Sequence, residues 1–138
     1  MAHTKFPVEV LTPEGEVFNE EVEMVSTFTA IGSIGILANH TPLLAMLDPT
    51  ELRLYRSDED IVRFAQAEGY MQVAHNHVLI LVEEAYEPSA LDTAELRERL
   101  SVAEREYEES EEGSEKRRAA GRSRRRLEAF LEIASSGG

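Results

Sequence analysis

The stretch YMQVAHNHVLILVEEAY, residues 70–86, decides the fold class. Residues 70–74 and 78–86 are two runs rich in Val, Leu, Ile, Met and Tyr, most of them types that pack well on a pleated surface. They flank Asn76, a residue type that tolerates the backbone of a tight turn. The pattern predicts a β-hairpin. The same signal repeats upstream. Leu52 and Leu54 alternate with Arg53 and Tyr55 before the polar turn of residues 57–60, and residues 61–67 return as a second arm. Nearer the start, Phe6, Val8 and Val10 alternate with Pro7 and Glu9, the turn residues Pro13, Glu14 and Gly15 follow, and residues 17–22 and 24–28 supply Val, Phe and Thr. Short strands at close spacing with turns between them predict an antiparallel sandwich or barrel over residues 1–88, not a βαβ fold.

Past Pro88 the period changes, and the rest of the chain has no proline. Leu96, Leu100, Ala103 and Tyr107 recur at helical spacing. Asp92 followed three positions later by Glu95 resembles a capping box, in which the acid accepts backbone N–H bonds at a helix start. Gly113 and Ser114 break the stripe. Leu127, Phe130, Leu131 and Ala134 then make a second one, extended backward by Ser123 and Ala120. Residues 89–138 therefore read as an antiparallel two-helix hairpin. Its stripes are narrow, and Gly121 inside the second helix costs about 1 kcal/mol relative to Ala.

Charge sorts the chain further. The 138 residues carry 27 Asp plus Glu against 14 Lys plus Arg, a net charge of -13. Residues 1–88 hold -11 of it, which opposes nucleic acid or an anionic lipid surface as the main partner. Residues 104–115 add -6, and residues 116–126 answer with +7 from Lys116, Arg117, Arg118, Arg122, Arg124, Arg125 and Arg126. Folded against each other, the two stretches would pair, each exposed pair contributing about 0–1 kcal/mol. Pairs that weak are easily exchanged for a better acidic partner. A nucleic-acid-binding module built on the arginine run is the alternative. The longest apolar runs, residues 43–47 and 78–82, are too short for a membrane helix, and the N-terminus lacks the apolar stretch of a signal peptide.

Other chemistry finds little support. There is no Cys, which removes disulfides, thiolate metal sites and cysteine nucleophiles. His75 and His77 invite a metal or hydrolase reading, but metal chemistry needs three or more ligands, and the flanking runs favour a hairpin turn. Gly32 and Gly35 could form a phosphate-cradling loop only with a Lys or a following helix, so a structural turn is expected there. No catalytic set of Ser, His and Asp and no isolated carboxylate pair is evident, so an enzyme is not expected.

Residues 32–44, GSIGILANHTPLL, closely resemble the signature of the epsilon subunit of the F-type ATP synthase, where a Gly-x-x-Gly-Ile-Leu segment leads to an Asn-His-x-Pro-Leu-Leu turn. Gly69, Tyr70 and residues 76–85 resemble that family's last sandwich hairpin, and Leu91-Asp92 its entry into a C-terminal helical hairpin. The resemblance implies a β-sandwich of about ten strands followed by two helices. It implies a non-catalytic rotor subunit on the cytoplasmic face of a bacterial membrane, attached to a gamma subunit and resting on a ring of c subunits. Such a subunit couples proton-driven rotation to ATP synthesis. Its helical domain restrains ATP hydrolysis by extending toward the catalytic β subunits.

Carried over residue by residue, the resemblance nominates Ser33 and His40 as rotor and ring contacts. One departure is Ala38, where many members carry Pro. Some members bind ATP through an Ile-Asp-x-x-Arg-Ala segment. Here residues 91–96 read LDTAEL, so Asp92 is kept while Glu95 and Leu96 replace the Arg and Ala. An anionic Glu95 would repel phosphate, and no cofactor is expected. Combined with the charge pattern, the resemblance implies an inhibitory latch made by Arg122, Arg124, Arg125 and Arg126. These residues would pair with residues 104–115 when the hairpin is folded and with an acidic patch on the catalytic subunit when it extends.

Overall fold

A computed structural model describes residues 3–136 of the chain. Two compact units divide at Glu87 and Pro88. The first holds ten strands: β1 Phe6–Thr12, β2 Gly15–Val22, β3 Met24–Thr29, β4 Gly32–Ile36, β5 Leu43–Leu47, β6 Thr50–Tyr55, β7 Ile61–Gln66, β8 Gly69–Ala74, β9 His77–Val82 and β10 Ala85–Tyr86. The hairpins expected from alternation are present. β6 pairs with β7 from Thr50 opposite Gln66 to Tyr55 opposite Ile61, and β8 pairs with β9 from Gly69 opposite Val82 to Ala74 opposite His77.

The strands form one hydrogen-bonded path, β10-β7-β6-β3-β5-β8-β9-β1-β2, with β4 paired to β3. A single pair, Thr29 with Leu47, joins β3 to β5. Buried residues from strands on both sides of this link form one hydrophobic core, as in a sandwich. Phe6, Val8, Val10, Val25, Leu52, Leu54, Met71 and Ile80 are at most 1% exposed and fill that core. Their positions alternate along the strands, as a pleated sheet with one face inward requires.

Three expectations are corrected. The segment Gly32 to Gly35 is strand, not turn: the turn lies one step earlier at Ala30 and Ile31, where Thr29 Oγ1 donates to Gly32 O at 2.9 Å and accepts from Ile31 N at 3.2 Å. Gly32 sits at φ 135, a backbone that L side chains rarely adopt. The arm of residues 78–86 is broken, because after Val82 the chain crosses to pair Ala85 with Gln66 of β7. The sandwich is also not wholly antiparallel. β1 runs parallel to β9, with Val8 opposite Val78. No tight turn joins these two strands, so no hairpin geometry fixes their relative direction.

The second unit holds a 3-10 turn, Pro88–Ala90, and two helices, α1 Thr93–Glu109 and α2 Glu115–Ser136. Asp92 caps α1: its Oδ1 accepts from Ala94 N at 3.0 Å and Glu95 N at 3.2 Å. Ser114 does the same for α2, its Oγ accepting from Arg117 N at 3.2 Å. α1 buries Leu96 and Ala103, while α2 buries Ala120, Leu127, Phe130 and Ile133. Ile133 joins the seam that the sequence stripe assigned to Leu131 and Ala134, which are half-buried, and Ser123 is exposed. No helix among the described residues is long and apolar enough to cross a membrane.

Candidate functional site

Strands β5, β8 and β9 turn one set of side chains to the core and the other outward. Apart from Gln72, its exposed members are apolar. Leu44 is 72% exposed, Met46 61%, Tyr70 52% and Leu81 44%. Register makes them contiguous, since Met46 stands opposite Tyr70 and Tyr70 opposite Leu81. Ile31, 99% exposed, lies in the turn whose Ala30 N donates to Met46 O at 3.0 Å. An apolar face of this kind marks an interaction surface, because water contact with it is unfavourable until a partner covers it. The sequence reading missed these residues as site members.

The structure does not bring Ser33 and His40 together. Ser33 is exposed on β4 opposite Phe28, near the Ala30 turn. His40 lies beyond the other end of β4, in a turn closed by His40 N donating to Leu37 O at 3.2 Å. That turn does not depend on proline at position 38. Asn39 occupies the left-handed region at φ 63, its N–H donates to Asn76 Oδ1 at 2.6 Å, and Ala38 packs on the core.

His75 and Asn76, at φ 52 and 58, form the two-residue turn between β8 and β9. His77 Nε2 lies 2.9 Å from Glu9 Oε1 across the β1–β9 pair. Among the described residues no three His, Cys, Asp or Glu side chains cluster as metal ligands.

On α2 the basic run is partly engaged. Glu115 Oε2 meets Arg118 Nε at 3.1 Å and Glu115 Oε1 meets Arg122 Nη2 at 3.0 Å. These two hydrogen bonds, Arg122 first, hold the Glu115 carboxyl below its ordinary pKa. Arg124 Nε reaches Glu128 Oε1 at 3.6 Å, Arg125 is exposed, and Arg126 is half-buried. The pairing expected with residues 104–115 thus narrows to Glu115, which belongs to α2 itself. The carboxylates on α1 are exposed, and three of them, Glu95, Glu98 and Glu106, line a groove between the helices.

What crosses the hairpin is aromatic. The guanidinium carbons of Arg117 and Arg124 lie 4.3 and 4.6 Å from the centroid of the Tyr107 ring. Gly121 lies between them on α2, and a Cβ there would stand 3.4 Å from Tyr107 Cε2, in van der Waals contact with the ring.

The groove between the helices, about 460 Å³, is lined by Glu95, Glu98, Arg99, Val102, Glu106 and Leu127 among others. Three carboxylates against one guanidinium repel a polyphosphate, and the Asp92 carboxylate is occupied as a cap, so these residues do not fit ATP.

A packed sandwich with an apolar outer face, followed in the chain by a helical hairpin, fits a non-catalytic subunit of a larger assembly. The family described as ATP synthase, Delta/Epsilon chain, beta-sandwich domain matches residues 5–88. The ATP synthase epsilon chain of Persephonella marina is 39% identical over 94% of this chain and 96% of its own length. The chloroplastic ATP synthase epsilon chain of Adiantum capillus-veneris is 38% identical over 91% and 94%. A chain of the Euglena gracilis mitochondrial ATP synthase, solved as OSCP/F1/c-ring in rotational state 1, shares the fold with a TM-score of 0.79 at 20% identity, over 98% of this chain and 84% of that one. The chain belongs to the ATP synthase delta/epsilon family, as an epsilon-type, non-catalytic subunit. The nucleic-acid reading of the arginine run finds no support in these likenesses.

Proposed function

We propose that the protein is the central-stalk, rotor subunit of a bacterial F-type ATP synthase, held peripherally at the cytoplasmic face of the membrane and coupling proton-driven rotation to ATP synthesis. The observation that carries this reading is the contiguous outward face of Leu44, Met46, Tyr70 and Leu81 on a chain of this family. It is the surface to be covered by the gamma subunit. The exposed end with Ile31, Phe28 and Ser33 is offered to the c-ring, and the His40 turn makes a separate rotor contact at the far end of β4.

The helical hairpin regulates. Arg122, Arg124, Arg125 and Arg126 form a latch that meets an acidic patch of the catalytic β subunit when the hairpin extends and restrains ATP hydrolysis. Exposed ion pairs and a narrow seam keep the two arrangements within a few kcal/mol, as a two-state element requires.

Two measurements test the reading. Met46→Asp with Tyr70→Asp places charges on the outward face, and the variant is expected to fold but to be lost from complexes isolated through a tagged gamma subunit. Retention at the wild-type level refutes the assigned face. Replacing Arg124, Arg125 and Arg126 by Ala is expected to raise hydrolysis by the reconstituted complex, and unchanged inhibition refutes the latch.

A further inference from the structure

We propose that the Tyr107 ring, met by both Arg117 and Arg124 close to Gly121, is a clasp that keeps the hairpin closed and withholds Arg124 from a partner outside the hairpin until it opens. The inference rests on the latch reading for its consequence, but not for its geometry. Positions 117, 121 and 124 share one face of α2, and although seven residues span about 10.5 Å of helix axis both guanidinium groups converge on the one ring. Both lie within the roughly 6 Å over which a cation is drawn to an aromatic face. The ring lies close to the helix at Gly121, where a Cβ would be 3.4 Å from Tyr107 Cε2.

Arg117 ties the clasp to the end of α1 a second way, its Nη1 donating to Ser110 O at 3.4 Å. Ser110 Oγ in turn donates to Tyr107 O at 2.9 Å. The contact thus sits where α1 gives way to the turn, the point about which two antiparallel helices must part. The rest of the seam is thin on the α1 side, which buries Leu96 and Ala103. The clasp also makes Arg124 serve twice: as ring partner when closed, and as latch cation when open.

The chain has no cysteine, so a cysteine pair at the exposed positions Ala94 and Glu132 can be spin-labelled cleanly in the full-length protein. The label distance distribution reports closed against open hairpins. Tyr107→Phe keeps the aromatic face and is expected to match the parent. Tyr107→Leu keeps an apolar side chain without that face, and the open-to-closed ratio is expected to rise roughly 5- to 30-fold. The pair Arg117→Gln and Arg124→Gln, which leaves the ring in place, is expected to do the same.

An unchanged distribution in Tyr107→Leu overturns the clasp. So does a shift in Tyr107→Leu that the double Gln variant lacks, since ring burial and not the cations would then hold the hairpin. Helicity by circular dichroism confirms that both helices persist in each variant. The same Tyr107→Leu chain is then assayed for inhibition of hydrolysis in the complex. A distance shift without stronger inhibition upholds the clasp and refutes the latch, so the two readings fail separately.

Discussion

Replacing Gly69 by Ala perturbs the sandwich at its tightest point. A Cβ at Gly69 would stand 1.9 Å from Leu81 O, 2.7 Å from Val82 Cα and 2.9 Å from Leu81 C, all backbone atoms of β9. No rotamer change relieves a clash with main chain. Strands β8 and β9 must therefore separate by more than 1 Å at the end where Gly69 opposes Val82. The adjoining bond from Glu83 N to Glu68 O, 3.1 Å, opens with them. Overpacking costs about 1–3 kcal/mol, and each lost backbone hydrogen bond about 0.5–1.5 kcal/mol. The smaller unfolded-state entropy of Ala returns about 0.4–1 kcal/mol. The net loss of about 0.5–4 kcal/mol, centred on about 2 kcal/mol, is to be read in urea unfolding followed by a sandwich-specific probe. With a slope of about 2 kcal/mol/M, the central loss lowers the midpoint by about 1 M. Gly35→Ala is the control, because its Cβ would meet nothing nearer than Val25 O at 4.0 Å. Equal midpoints for the two variants, or a Gly69→Ala midpoint within about 0.3 M of the parent, would refute the steric argument.

Asp92→Ala removes the α1 cap, and hairpin stability should fall by about 1 kcal/mol, with Asp92→Asn recovering most of it, as judged by thermal loss of helix signal. Asn76→Ala forces an Ala into the left-handed region and deletes the acceptor for Asn39 N–H, an expected loss of about 2 kcal/mol in sandwich stability. Asn76→Gly should restore the backbone part alone. Glu115 has its pKa depressed by Arg122 and Arg118, so its stabilising contribution is present above the ordinary value of 4.5 and is lost as pH falls through the lowered one. Helicity below that pH should decline in the parent, and Glu115→Gln should flatten the decline; parallel curves would contradict the assignment. Arg125→Ala leaves every contact of the clasp intact, so it should weaken inhibition of hydrolysis without moving the hairpin distances, whereas Arg124→Ala should change both.

The strand alternation and the caps could be read from sequence because each rests on neighbours a few residues apart. Leu52 and Leu54 face inward as their spacing from Arg53 demands, and Asp92 caps because the acceptor and the N–H groups of Ala94 and Glu95 lie within one turn. The parallel β1–β9 pair could not be read, since Val8 and Val78 meet through the tertiary fold and not through a turn. Nor could the crossing of β10, two residues long. The outward face had left a trace. Residues 43–47 and 78–82 are apolar at every position, and a strand apolar on both faces has two surfaces to bury. The same runs, judged against membrane thickness, had seemed only too short. Tyr107 was assigned to an apolar stripe and Gly121 to a helix-weakening cost. Neither assignment reveals that the two positions answer each other across the hairpin.

The charge pattern takes on a different meaning once the hairpin is folded. Opposed stretches of -6 and +7 suggest neutralisation across the seam. A carboxylate on α1 that paired there would have to sit beside Leu96 and Ala103, in surroundings where an ion loses hydration it regains only through good geometry. The α1 acids are exposed, three of them along the groove, and two arginines of α2 meet a π face instead, which asks for less desolvation of the cation than a buried ion pair does. Arg118, Arg122 and Arg124 take ion pairs from Glu115 and Glu128 on α2 itself. Parting the helices leaves those pairs intact and breaks, besides the apolar seam, the contacts of Arg117 and Arg124 with the Tyr107 ring and the bond from Arg117 Nη1 to Ser110 O.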